Sequence, residues 1–136
     1  MLKYVIGYLG TGLAFAIVDA VWLSTVGPRL YRPTLDPVLA EEFALAPAIA
    51  FYVIYIAGVM ILAVTPAVRE GEWTRALFTG AVLGFLCYAT YDLTSQAVLK
   101  VWSTKISVAD IAWGTFLTAV SAVAGYFAMR WGERAF

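Results

Sequence analysis

The stretch ALFTGAVLGFLCYATYDLTSQAVL, residues 76–99, decides the fold class because it is apolar over most of its length and carries a single charge, Asp92. A helix needs about 20 mainly apolar residues to cross a bilayer, and residues 76–99 meet that length. In lipid, an open-ended chain can satisfy its backbone hydrogen bonds only as a helix. We therefore predict a transmembrane helix with a carboxyl group inside it.

The composition of the whole chain extends this prediction to a membrane protein. Of the 136 residues, 62% are hydrophobic and 13% are charged, whereas a typical soluble domain has about 45–50% and about 25%. The formal net charge is zero, so the chain lacks the basic surface that nucleic acids require, and membrane lipids are its expected surroundings. There is no histidine, and Cys87 is the single cysteine, so we predict no internal disulfide, no metal site and no cofactor.

Three further apolar segments are long enough to span a membrane. The four predicted helices are Tyr4–Val26, Ala44–Val64, Ala76–Leu99 and Ile106–Met129, joined by short charged connections. The first resembles a signal peptide at its start, but its apolar run continues too far, so we expect a retained span. We predict a single domain, residues 1–136, whose fold is an all-α, integral membrane four-helix up-down transmembrane bundle.

The Lys and Arg residues near the helix ends predict the orientation of the bundle. If the helices alternate in direction, five of these cations lie on the side of the two chain termini and four lie on the opposite side. This small excess favours termini on the cytoplasmic side of the membrane.

Three aspartates lie inside the predicted spans at similar depths. Asp19 and Asp92 each lie eight residues before their helix ends, or about 12 Å inside it, and Asp110 lies about 7–8 Å into the last helix. The alternating topology brings all three into one leaflet. An aspartate at a helix centre costs about 2.5–3.5 kcal/mol to insert, so we expect these side chains to face inward. Like charges repel in a dry pocket, so we also expect at least one to carry a proton at neutral pH.

Polar and aromatic neighbours on the same helix faces complete the predicted site. Tyr88 precedes Asp92 by one turn, and Gln96 follows it by one turn. The first and last spans each contain the unit Asp-x-x-Trp, which ends at Trp22 in one and at Trp113 in the other. No residue is predicted to be catalytic. The predicted ligand- or proton-binding residues are Asp19, Trp22, Tyr88, Asp92, Gln96, Asp110 and Trp113. The cations that could cover this site from the water side are Arg29, Arg32, Lys100 and Lys105.

Other residues are predicted to have structural roles. Gly80 and Gly84 form a small-x-x-x-small step, which allows helices to pack closely in lipid. Tyr52 and Tyr55 are expected to pack within the bundle rather than to take part in chemistry. Pro66 is expected to help end the second helix.

The motifs Asp19-x-x-Trp22, ATYDLT (residues 89–94) and DIAWG (residues 110–114) resemble the signature of a bacterial membrane-protein family, the predicted membrane proteins catalogued as domain of unknown function 2177. The resemblance extends over essentially the whole chain. It implies a small four-helix protein of the inner (cytoplasmic) membrane and no particular activity. Ser95 stands where the family pattern would place an asparagine, so no role that needs an amide at this position is implied.

Two functions of different classes fit these observations. The first is binding or transport of a small molecule or proton through a buried three-aspartate pocket in one leaflet. The alternative is an accessory subunit that packs in a larger bioenergetic or lipid-processing membrane complex, and a homo-oligomer is also open. If the protein is an accessory subunit, the aspartates would only join helices through hydrogen bonds. A membrane enzyme ranks lower, because no nucleophile motif or cofactor site accompanies the carboxyl groups.

Overall fold

The computed structural model describes residues 1–38 and 44–136, and the elements in these residues are all helical. Four helices are long and apolar enough to cross a membrane: Leu2–Thr25, Leu45–Glu70, Trp73–Val98 and Thr104–Ala135. The predicted all-α membrane bundle is therefore confirmed. Glu41 and Glu42, which precede the second span in the sequence, lie outside the described residues.

The last helix, α6 (Thr104–Ala135), is the centre of the bundle. It packs along both α1 (Leu2–Thr25) and α5 (Trp73–Val98). Glycine makes this close approach feasible, because a Cβ atom added to Gly84 of α5 would collide with the backbone oxygen of Gly114 of α6. The glycine step of α5 therefore has the packing role predicted for it.

The second span is not one regular helix. Helix α3 (Leu45–Val59) passes into a π-helical turn, Met60–Val64, and then into the short helix α4 (Thr65–Glu70). The wide turn accommodates Pro66, which has no N–H to donate and whose ring would clash in a regular helix. The prediction that Pro66 helps end this helix is therefore wrong. The span ends instead at Gly71, whose φ of 73° lies in the left-handed region that favours glycine.

The two halves of the second span pack differently. Val59, the last residue of α3, and Ala63, in the π turn, are fully buried against the other helices. Ile49 and Ile54, in the first part of α3, are 52% and 71% exposed. The π turn and α4 contact α5, whereas the body of α3 does not pack along it. Helix α3 therefore diverges from α5 toward its N-terminal end and leaves a gap between them.

The connection after α1 is also helical as far as it is described. A π-helical turn, Gly27–Tyr31, leads into α2 (Arg32–Leu35) and a 3-10 turn, Asp36–Val38. Leu35 is buried, so this connection folds back over the bundle. We call this end of the bundle, where residues 99–103 also join α5 to α6, the distal end. The two chain termini lie at the other end.

Candidate functional site

A cavity of about 1090 Å³ lies in the distal half of the bundle. It is bounded by α1, α3, α5 and α6 and is covered by the connection that contains Tyr31 and Arg32. Its wall is mainly aromatic and aliphatic and includes two carboxyl groups. The lining residues are Asp19, Trp22, Leu23, Gly27, Pro28, Tyr31, Arg32, Leu35, Phe51, Ile54, Tyr55, Cys87, Tyr88, Tyr91, Trp102, Asp110 and Trp113.

Asp19 is held by donors from two other helices. Tyr52 Oη of α3 donates a hydrogen bond to Asp19 Oδ2 at 2.8 Å, and Trp113 Nε1 of α6 donates to Asp19 Oδ1 at 3.2 Å. The residue is only 9% exposed, so these bonds replace the water that a carboxyl group would otherwise bind. Tyr52 was expected only to pack, and the structure instead shows it orienting a buried carboxyl group.

Asp110 is held from the distal connection. Tyr31 Oη donates to Asp110 Oδ1 at 2.6 Å, and Trp22 Nε1 donates to Tyr31 Oη at 2.9 Å. Burial raises the pKa of the Tyr31 phenol, and the hydrogen bond to Asp110 raises it further, so the phenol stays a neutral donor. Sequence reasoning missed Tyr31 because it lies outside the predicted spans and has no spacing relation to Asp110.

The two Asp-x-x-Trp units interlock across the bundle. The rings of Trp22 and Trp113 stack with their centroids 4.3 Å apart and their planes within 8° of parallel. Trp113 of α6 donates to Asp19 of α1, whereas Trp22 of α1 reaches Asp110 of α6 through Tyr31. Each tryptophan therefore serves the aspartate of the other unit rather than its own.

Asp92 lies behind the cavity wall rather than in it. Its exposure is 0%, and within residues 1–38 and 44–136 neither carboxyl oxygen receives a hydrogen bond from an N–H or O–H group. The carboxyl group of Asp110, on α6, is close enough to interact electrostatically with that of Asp92. Two carboxyl groups can hydrogen-bond to each other only when one of them carries a proton, so this arrangement has room for one shared proton.

Gln96 belongs to a different network at the start of α6. Gln96 Nε2 donates to Thr104 Oγ1 at 2.8 Å, and Ser107 Oγ donates to Gln96 Oε1 at 2.7 Å. Trp102 Nε1 donates to Ser107 Oγ at 3.0 Å. This network joins the end of α5 to α6, and the structure places Gln96 apart from the cavity lining, contrary to the expectation that it contributes to the site.

The structure thus brings most of the predicted site residues to one cavity. Those that line it are Asp19, Trp22, Tyr88, Asp110 and Trp113. Of the cations expected to cover the site, Arg32 lines the cavity, whereas Arg29, Lys100 and Lys105 are absent from the lining of the described cavity.

Two tyrosines of α3 were missed as site residues. Tyr55 lines the cavity, and its hydroxyl hydrogen-bonds to Thr118 Oγ1 at 2.8 Å, while Tyr52 binds Asp19. A buried phenol inside a span needs a polar partner. That need was the signal in the sequence that could have linked these tyrosines to the aspartates.

The polar groups of the cavity are not arranged as a metal site. In the part of the chain that the structure describes, no group of three or more His, Cys, Asp or Glu side chains is placed to hold a metal ion. The cavity instead combines hydrogen-bond acceptors with a large aromatic surface. Such a lining suits an organic molecule better than an inorganic ion.

Fold and site together define a small polytopic helical membrane protein with carboxyl groups buried in one half of its bundle. The chain belongs to the family described as predicted membrane protein (DUF2177), whose model matches residues 4–127. The matched range contains all three intramembrane aspartates and both Asp-x-x-Trp units. No curated protein and no solved structure matches the chain.

Proposed function

We propose that this protein binds or transports a small molecule through the distal cavity, and that Asp19 and Asp110 hold that molecule. The observation that supports the proposal is the presence of both carboxyl groups on the wall of one cavity of about 1090 Å³. A carboxyl group has about four acceptor positions. The hydrogen bonds from Tyr52 and Trp113 to Asp19, and from Tyr31 to Asp110, leave positions for a ligand.

A purely structural role explains this arrangement less well. A carboxyl group that only joins helices would be enclosed by its partners, and interhelical hydrogen bonds of this kind average about 0.6 kcal/mol in a membrane. Asp19, although only 9% exposed, and Asp110 both line the cavity instead. Ionisable groups inside a membrane are costly, and they usually mark the path or site of a ligand or ion.

Native mass spectrometry of the full chain, released from membranes in a mild detergent, tests this proposal. We expect a monomer or small homo-oligomer that carries an additional small mass. Asp110→Asn should lose that mass, whereas Glu133→Gln should keep it, because Glu133 pairs with Lys3 at the opposite end of the bundle at 3.0 Å. A wild-type protein without extra mass, or a mass that Asp110→Asn retains, would contradict the proposal.

The second candidate function is an accessory subunit of a larger membrane complex. The observation that favours it is the first part of α3, where residues on several faces are exposed, including Ile49, Val53 and Ile54. The same spectra separate the two functions. A stable particle that contains several different chains would identify a subunit, and the aspartates would then be assembly contacts.

We also propose a location in the inner membrane of a bacterium, with both termini in the cytoplasm. The excess of Lys and Arg on the terminal side supports this orientation. Labelling of single cysteines placed at residues 2 and 101, in a Cys87→Ala background, would test it from each side of the membrane.

A further inference from the structure

We infer that the molecule held in the distal cavity is a lipophilic organic cation, an ammonium group on an apolar body, that enters from the lipid through the gap between α3 and α5. This inference rests on the proposed function, because it names the ligand class of the same site. The ammonium group of the bound molecule would lie between Asp19 and Asp110, and the apolar body of the molecule would extend toward the gap.

The charges of the cavity favour a cation. Asp19 and Asp110 accept hydrogen bonds from aromatic O–H and N–H groups, and their remaining acceptor positions can bind the N–H groups of a ligand. Neither forms an ion pair with a Lys or Arg side chain in the described parts of the chain. Arg32, the cation of the lining, is exposed at the distal end. A ligand ammonium would therefore supply a positive charge that the surrounding side chains do not.

Asp92 lies behind Asp110, and a proton shared by the two carboxyl groups would leave this pair with a single negative charge. The carboxyl group of Asp92 is completely buried, has no donor partner in residues 1–38 and 44–136, and lies close to that of Asp110 behind the cavity wall. Buried polar groups in proteins are almost always paired. A cation bound at Asp110 would place positive charge close to both carboxyl groups.

Aromatic rings supply the other element of cation recognition. A cation is attracted to the face of an aromatic ring within about 6 Å of its centroid, and tryptophan is the most effective ring. Trp22 and Trp113 lie in the wall beside Asp19 and stack face to face, so each ring has at most one face left for a cation. Tyr88, on the α5 side, is packed edge-on against Tyr55 with ring centroids 6.5 Å apart. Rigid rings and carboxyl groups on one wall are the combination that binds ammonium groups.

One opening of the cavity faces the lipid side of the bundle, and a second, marked by the exposed lining residues Pro28 and Arg32, lies at the distal end. Phe51 and Ile54 of α3 and Tyr91 of α5 all line the cavity, yet they are 45%, 71% and 59% exposed. Side chains that both line a cavity and face outward mark its opening. The π turn packs against α5, and α3 reaches α5 through the pair Tyr55–Tyr88, so the opening on the lipid side lies beyond that pair, where the two helices diverge. An apolar body could enter there without crossing water.

Equilibrium binding to the full chain in phosphatidylglycerol nanodiscs tests the inference. The probes are decyltrimethylammonium and its uncharged isostere, in which carbon replaces the nitrogen, and protein-free nanodiscs correct for partitioning. Tryptophan fluorescence reports occupancy, because Trp22 and Trp113 line the cavity. We expect saturable binding of the ammonium probe and about tenfold weaker binding of the isostere, which is about 1.4 kcal/mol.

Matched variants separate charge from fold. Asp19→Asn and Asp110→Asn should each weaken binding of the ammonium probe about tenfold, whereas Asp110→Glu, which keeps the charge, should retain most of it. Glu133→Gln removes a carboxyl group at the other end of the bundle and should bind as the wild type does.

Each outcome bears on the inference. If both probes bind equally to the wild type and Asp110→Asn still binds both, the cation inference is overturned. The additional mass in native spectra would then still support the proposed function. If neither probe binds, the inference is also overturned. If the ammonium probe binds as expected, nanodiscs containing phosphatidylethanolamine identify its source. Competition by this lipid would indicate a lipid headgroup, and absence of competition would indicate a free lipophilic amine.

Discussion

Replacing Asp92 by asparagine is expected to leave the bundle about as stable as the wild type, whereas replacement by leucine is expected to destabilise it. Asp92 is fully buried, has no N–H or O–H partner in the described residues and lies close to the carboxyl group of Asp110. A protonated Asp92 would donate its hydrogen to Asp110. The amide of asparagine can donate from nearly the same place, but leucine, which has the same branching, cannot.

The size of the effect follows from the bond that leucine removes. A hydrogen bond to a charged group contributes about 1.5–3 kcal/mol. Asp92→Leu should therefore lower the free energy of unfolding by about that amount, leaving Asp110 with the donor from Tyr31. Asp92→Asn should stay within about 1 kcal/mol of the wild type, because it exchanges one donor for another.

Reversible unfolding of the purified protein in mixed detergent micelles measures both differences. Infrared spectroscopy gives a second signal, because the carbonyl stretch of a buried neutral carboxylic acid should be present in the wild type and absent in Asp92→Asn. Glu133→Gln, at the other end of the bundle, is the control for loss of a carboxyl group.

The change in stability of Asp92→Leu distinguishes a protonated Asp92 from an ionised one. If Asp92 were ionised and unpaired, removing it would relieve a buried charge and Asp92→Leu would be more stable than the wild type. A leucine variant as stable as the wild type, or an asparagine variant as unstable as the leucine variant, would refute the shared proton.

Three further predictions concern the support of the site. Tyr31→Phe removes the hydroxyl that donates to Asp110 at 2.6 Å, so it should lower the stability by about 1.5–3 kcal/mol in chemical unfolding. The pKa of Tyr31 is higher in the folded state than in the unfolded state, so the free energy of unfolding of the wild type should fall as pH rises above about 10. Tyr31→Phe should show a smaller decrease, because it lacks this titrating group. Gly84→Ala places a Cβ against the backbone oxygen of Gly114 and should cost about 1–3 kcal/mol in thermal unfolding. Gly58→Ala, whose Cβ meets nothing within 4 Å, should be neutral or slightly stabilising.

These predictions have clear contrary outcomes. A Tyr31→Phe protein with wild-type stability would show that the distal connection is not held through Asp110. An unchanged alkaline slope in that variant would assign the slope to other tyrosines. Equal effects of the alanine substitutions at Gly84 and Gly58 would show that close approach of α5 and α6 does not limit the packing.

Membrane spans and the depth of the charges inside them are local properties, so the sequence alone predicted them. Apolar runs of sufficient length placed all four helices, and the fixed rise per residue placed Asp19, Asp92 and Asp110 in the same half of the bundle. The ends of the helices were less well predicted. The last helix continues past Met129 to Ala135, because hydropathy marks where a helix leaves the lipid and not where it ends.

Helix spacing also predicted which residues share a face, but only the tertiary structure decided what each face meets. Tyr88, Asp92 and Gln96 are one turn apart, yet Tyr88 lines the cavity, Asp92 lies close to Asp110 and Gln96 joins the network of Ser107. A face is wide enough to contact more than one neighbour, and the rotation of each helix is set by packing across the interface.

The hydrogen-bond donors to the carboxyl groups also show what the sequence predicts and what only the tertiary structure decides. Tyr52 reaches Asp19 from another helix, and Tyr31 reaches Asp110 from a connection far away in the sequence. The need of a buried carboxyl group for donors could be read from the sequence. Which donors meet that need depends on how α3 and the connection after α1 pack against α1 and α6, and this packing arises from contacts between residues distant in the chain.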